Sequence, residues 1–144
     1  MYEGGGGGRR QILVAVDGTE PSLRAAAYAV GAARRQGVTL VVLYVHTFSS
    51  LATSPEIVNA MRTGNSEALL ALQCELERLA TACAVDIMLI ERHGSPYAEI
   101  VRLAGQLHVD GVIVAAGSQF GYRLKASPAV RLVRGARWPV TVVP

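Results

Sequence analysis

Asp17 stands directly after an apolar run, Ile12-Leu13-Val14-Ala15-Val16, and before Gly18 and Thr19. A carboxylate at the end of a buried strand has two uses. It accepts hydrogen bonds from the amino or hydroxyl groups of a ligand, or it holds the next turn by accepting from backbone N–H groups. Gly117-Ser118-Gln119-Phe120-Gly121 follows a second apolar run, and glycines there let backbone N–H groups approach phosphate oxygens. Ser127 precedes Pro128, the pairing that opens a helix. The free N–H groups of a helix N-terminus attract anions, and the Ser127 hydroxyl either adds a contact or simply caps the helix. His46, His93 and His108 lie far apart with no helical ligand spacing, so they predict no metal site; His46, just after the second strand, has room to face the site, but the plainer reading is a solvated loop histidine. Walker A, G-x-S-x-G and CxxC patterns are absent from the sequence. The expectation is a binding module, not an enzyme.

These residues need elements to position them. Short β-branched runs alternate with helical periodicity along the chain. Strands are predicted at 12–16, 38–45, 87–91, 109–116 and 140–143. The first two are continuously apolar, as suits strands covered on both faces. A first helix begins near Pro21 and stops at Gly37, with Leu23, Ala26, Ala27, Val30 and Ala33 on its apolar face. A second begins at Ser66, because Leu69, Leu72, Leu76, Leu79 and Cys83 step by three and four. Residues 47–65 between them read as a long surface connection with room for a short helical turn. Ser95-Pro96 opens a third helix, buried through Tyr97, Ile100, Val101, Ala104 and Leu107, and Ser127-Pro128 opens a short fourth. Strict β-α alternation predicts a five-stranded parallel sheet between layers of helices, an α/β sandwich of the flavodoxin-like or Rossmann-like kind. Ligands of such sheets bind beyond the carboxyl ends of the strands, which here means after Val16, Val45 and Ala116.

Composition agrees with a single domain. The chain has 144 residues, 51% hydrophobic and 17% charged, enough to bury a full core. No apolar stretch reaches the roughly 18 residues of a membrane span. The net charge is only +3, but no acidic residue follows Asp110, whereas Arg123, Lys125, Arg131, Arg134 and Arg137 all do. That local positive field suits the phosphates of a small ligand as well as nucleic acid, and equally a solvated helix face; nucleic acid is not the expected partner. Cys74 and Cys83 form no disulfide framework, so a reducing, cytoplasmic setting is expected. Gly4 to Gly8 stand where a secretory signal needs an apolar core, so residues 1–9 are expected to be a disordered leader before a domain at 10–144.

Over 10–144 the chain resembles the universal stress protein family. The resemblance rests on ILVAVDGTEPS at 12–22, LYV at 43–45, GSPYAEI at 94–100, VDGVIVAAGS at 109–118 and WPVTVVP at 138–144. It implies strand order 3-2-1-4-5, a cytosolic dimer and, in one branch, ATP held by a motif G-x2-G-x9-G-S/T. Carried over by position, it implies that Asp17 and Val45 lie beside the adenine, that Ala15 makes a backbone contact, and that Gly117 is the first motif glycine. Ser118, Gly121 and Ser127 complete the candidate set. The chain departs from the motif after Gly117: Phe120 occupies the second glycine position with Gly121 beside it, Ala126-Ser127 replaces Gly-Ser, and the loop is shorter. Two functions remain open. One is a stress-response module that binds ATP or another adenine nucleotide; the other is a dimeric interaction scaffold that binds none, which the short, glycine-poor loop favours. In that strand order the fifth strand is an edge, so a homodimer through antiparallel pairing of 140–143 is expected, flanked by Pro139 and Pro144. Trp138 would pack across that interface or cap the monomer core.

Overall fold

The computed structural model describes residues 9–46, 55–116 and 127–144, with side chains described outside 55–65. The leader expected at 1–9 therefore lies outside the described residues except for Arg9, whose guanidinium pairs with Asp86. Nine elements alternate: β1 (Gln11–Val16), α1 (Glu20–Gln36), β2 (Thr39–His46), α2 (Pro55–Cys83), β3 (Ile87–His93), α3 (Pro96–Leu107), β4 (Gly111–Ala115), α4 (Pro128–Gly135) and β5 (Val140–Val143). The five strands form one sheet in the order β3-β2-β1-β4-β5, and every neighbouring pair is parallel.

The period-2 alternation of the strands sorts the core into two layers. Ile12, Val14 and Val16 of β1 join Leu40, Val42 and Tyr44 of β2 under α1 and α2. Leu13 and Ala15 join Val41, Leu43 and Val45 on the opposite face, against Ile100, Leu103 and Ala104 of α3 and Leu132 of α4. Burial on both faces explains why β1 and β2 read as unbroken apolar runs.

The α1 face differs from its expected stripe. Ser22, Ala25, Ala26, Ala29, Val30, Ala32 and Ala33 are buried, while Leu23 and Ala27 are exposed. The alanine rows let the helix lie close on the sheet, which rotates the larger Leu23 outward into an apolar groove that it lines with Ala27 and, from α2, Ala68, Leu72 and Leu79. Gly37 ends α1 with φ 67°, its N–H turned to the carbonyls of Ala33 and Arg34.

Helix α2 starts at Pro55, not at Ser66. The segment before Ser66 has little apolar periodicity to announce a helix, only Ile57, Val58 and Met61, but extending a helix already nucleated adds one hydrogen bond per residue fixed, and proline is well placed in a first turn. The apolar face expected for 66–83 is present: Leu72 and Leu76 are buried, and Leu69, Leu79 and Cys83 pack against them. Strand β4 is shorter than expected because Val109 and Asp110 belong to the turn leaving α3. Strand β2 is shifted by one residue, from 38–45 to Thr39–His46, and β3 is longer by two, so that they end in His46 and His93, with consequences for the site. Among the described residues no helix is long and apolar enough to cross a membrane.

Candidate functional site

At the carboxyl end of β1 the turn closes on itself. The Asp17 N–H donates to Ser22 Oγ at 3.2 Å, and that hydroxyl donates to the Thr19 carbonyl at 2.8 Å. Asp17 Oδ1 accepts from Thr19 N–H at 2.9 Å and from the Thr19 hydroxyl at 2.5 Å. Gly18, at φ 87°, makes the tight passage between them. The turn-holding use of Asp17 is therefore real, but it occupies one oxygen only. Asp17 Oδ2 is buried and has no hydrogen-bond partner among the described residues. A buried acceptor left unpaired costs about 1–3 kcal/mol, so it marks a place where a donor from outside the turn belongs.

Beside it lies the end of β2. Val16 pairs with Tyr44, which sets Asp17 level with Val45 on the neighbouring strand. Val45 is buried on the α3 face, and Ala15, one turn of the pleat below Asp17, is buried on that face too. Tyr44 and His46 point to the other face. The Tyr44 ring is 3% exposed, and its hydroxyl lies 3.2 Å from where a side chain on Gly18 would begin. Burial, then the neighbouring Asp17 and Glu91 carboxylates, pushes the Tyr44 phenol above its ordinary value and keeps it protonated.

Histidines that look unrelated in sequence are joined here. The parallel register sets His46 opposite His93, and their rings stack at 4.6 Å between centroids with 15° between planes. His46 Nε2 lies 3.0 Å from Glu91 Oε2, and the Tyr44 ring meets the His46 ring at 4.8 Å, tilted by 56°. The side chain of His46 is only 10% exposed, so it is not the solvated loop residue its sequence position predicts. Gly94 N–H donates to the His46 carbonyl at 3.1 Å, tying the start of α3 to the end of β2. His108 is elsewhere, at the C-cap of α3. Among the described residues no three His, Cys, Asp or Glu side chains form a metal-holding group.

The sequence reading overlooked Tyr44, Glu91 and His93. The signal that finds them is spacing by two: Tyr44 and His46 on one strand, Glu91 and His93 on the next, each pair sharing a face once the strands are extended to their true ends.

On the β4 side, Ala116 N–H donates to the Val143 carbonyl at 2.8 Å, and the chain then passes into 117–126. Gly117, Ser118 and Gly121, with Arg123 and Lys125, lie outside the described residues. Ser127 is at the N-cap of α4, where its Oγ accepts from Val130 N–H at 3.4 Å. That long bond makes the cap weak. Replacing Ser127 by Ala is expected to lower stability by about 0.5–1 kcal/mol in a denaturant melt, the lower part of the range for a lost N-cap. A loss well above that would show that the hydroxyl does more than cap. Other cations of the basic tail are engaged: Arg131 covers the Tyr97 ring at 3.8 Å, and Arg137 covers Trp138 at 4.7 Å. Trp138 is half-buried against the α3 and α4 layer.

Comparison with known proteins returns a consistent picture. No curated protein matches the sequence. Among solved structures, a universal stress protein from Burkholderia pseudomallei superposes with a TM-score of 0.70 at 26% identity, covering 94% of this chain and 96% of its own. UspA from Lactobacillus plantarum gives 0.76 at 24% identity, over 94% of this chain and 98% of its own. A universal stress protein in complex with cAMP gives 0.70 at 21%, with 94% and 97% covered. One from Arabidopsis thaliana with AMP bound gives 0.61 at 21%, with 93% and 90% covered. The universal stress protein family model spans residues 8–144, so the chain belongs to the universal stress protein family.

Proposed function

We propose that this protein binds ATP or another adenine nucleotide beyond the carboxyl ends of β1 and β4, as a cytoplasmic stress-response module without catalytic activity of its own. The observation that carries this reading is the buried, unpartnered Asp17 Oδ2 at the strand end where ligands of such sheets bind. An exocyclic amino group is a donor of the right kind for it. That two structural relatives hold cAMP and AMP supports an adenine nucleotide in particular. In this reading Val45 and Ala15 border the base, while Gly117, Ser118, Gly121 and Ser127 serve the phosphate side. The test is calorimetric titration of the purified protein with ATP, after its 260/280 nm absorbance ratio has been checked for nucleotide carried from the cell. Saturable binding of one nucleotide per chain supports the reading. Protein free of nucleotide that gives no heat with ATP or AMP contradicts it.

A second reading, a dimeric interaction scaffold, is favoured by the open edge of the sheet. Val112 N–H and Ala116 N–H donate to the carbonyls of Pro139 and Val143, so alternation turns the backbone groups of Val140 and Val142 away from β4. Val142 is also 41% exposed. We propose that two copies pair antiparallel through β5 about a two-fold axis, which satisfies those groups whether or not nucleotide is bound.

A further inference from the structure

The nucleotide reading uses Asp17 but leaves Tyr44 unexplained. Tyrosine is a costly choice for a strand position buried among valines and leucines, because its hydroxyl must find a partner. Among the described residues Tyr44 makes a ring contact with His46, and its hydroxyl is not one of the buried unpaired polar atoms, so it opens toward the end of the sheet. Its hydroxyl sits against Gly18, the residue next to Asp17, and glycine is what leaves the space above that hydroxyl open: any side chain would begin 3.2 Å from it. The ring has little freedom to turn away. Core residues surround it below, and the His46 ring packs on it at 4.8 Å, itself held by Glu91 at 3.0 Å. A donor and an unpaired acceptor thus lie at the same end of the sheet, near enough that, after burial, the Asp17 carboxylate also holds the Tyr44 phenol above its ordinary value.

We propose that the Tyr44 hydroxyl is a second ligand-contacting group of this site, donating to a ring nitrogen of the purine whose amino group bonds Asp17 Oδ2. The proposal rests on the nucleotide reading above and deepens it. Adenine carries its amino group between two ring acceptors, N1 and N7, so an acceptor and a donor at this end of the sheet match either edge. Guanine presents an acceptor, O6, in place of that amino group, and in the same orientation would leave the carboxylate oxygen facing another oxygen. His46 is then a positioning residue that acts through the Tyr44 ring.

The test compares Tyr44→Phe with the unmodified protein on ATP, 1-deaza-ATP and 7-deaza-ATP, each analogue lacking one ring acceptor. Phenylalanine keeps the ring in the core. Loss of one neutral hydrogen bond is expected to weaken ATP binding about three- to tenfold. With one of the two analogues the same substitution should change affinity by less than about twofold, because the acceptor it served is already gone. Each protein is compared with itself across ligands, so a small loss of stability in the variant does not blur the result. Equal ATP affinity in both proteins overturns the proposal, as does an equal loss on all three ligands, which would mark a packing effect. If the unmodified protein binds none of them, the nucleotide reading itself fails and this inference with it.

Discussion

Replacing Asp17 by Asn is expected to weaken ATP binding about ten- to a hundredfold while leaving the fold intact. The asparagine carbonyl can still accept from Thr19 N–H and from the Thr19 hydroxyl, the two bonds that Oδ1 makes at 2.9 and 2.5 Å. The other position changes from an acceptor to an NH2 donor. A ligand amino group would then meet a second donor, and a hydrogen bond to a charged group, worth about 1.5–3 kcal/mol, is lost. Stability should move little, because the turn's weaker neutral hydrogen bonds are offset by replacing a buried carboxylate oxygen with a neutral, though still unpaired, amide group. Calorimetry with a parallel thermal melt separates the two effects. Affinity that survives in a folded variant would place the ligand elsewhere.

The second large effect concerns assembly. Replacing Val142 by Pro is expected to weaken the homodimer by roughly a hundredfold or more. Val142 N–H points to the open edge, so the substitution spares the pairing with β4 and proline is tolerated there in the monomer. In a two-fold pairing the same position is lost twice. Two N–H donors disappear and two carbonyls of the partner go unpaired, each at about 1–1.5 kcal/mol, before any clash of the pyrrolidine ring is counted. Sedimentation at micromolar concentration reads this directly. A monomeric unmodified protein would contradict the account, as would a dimer indifferent to the change.

The sheet was legible because each of its central strands is an uninterrupted apolar run, a pattern produced by helices on both faces. Strand order came from the family resemblance and agrees with the pairing of the chain. Element ends were harder to read. The first turns of α2 carry only Ile57, Val58 and Met61 as large apolar residues, too few to mark a helix that runs from Pro55. The stripe of α1 was misplaced because alanine carries little hydrophobic signal although it packs closest to the sheet, which left Leu23 facing the groove.

Within the site, Asp17 could be named from its place after Val16, but not that one of its oxygens is engaged and the other orphaned. That division depends on Thr19 and Ser22 closing the turn. His46 and His93 were read as strangers because nothing in a linear sequence states that β2 and β3 run in a register that stacks them. Ser127 was read both as cap and as ligand contact, and its bond to Val130 establishes the first of these.

The central claim is that an adenine nucleotide binds at the carboxyl ends of the strands. Chemical-shift mapping of amide signals on titration with ATP tests it most directly, since it reports the place of binding as well as its occurrence. The account predicts that the largest shifts cluster at Ala15 to Thr19, Tyr44 to His46, Ala116 and the first turn of α4, and saturate with a single affinity. Shifts confined to the opposite end of the sheet, around Arg9, Arg34 and Val85, or no shifts at millimolar ATP, would contradict it.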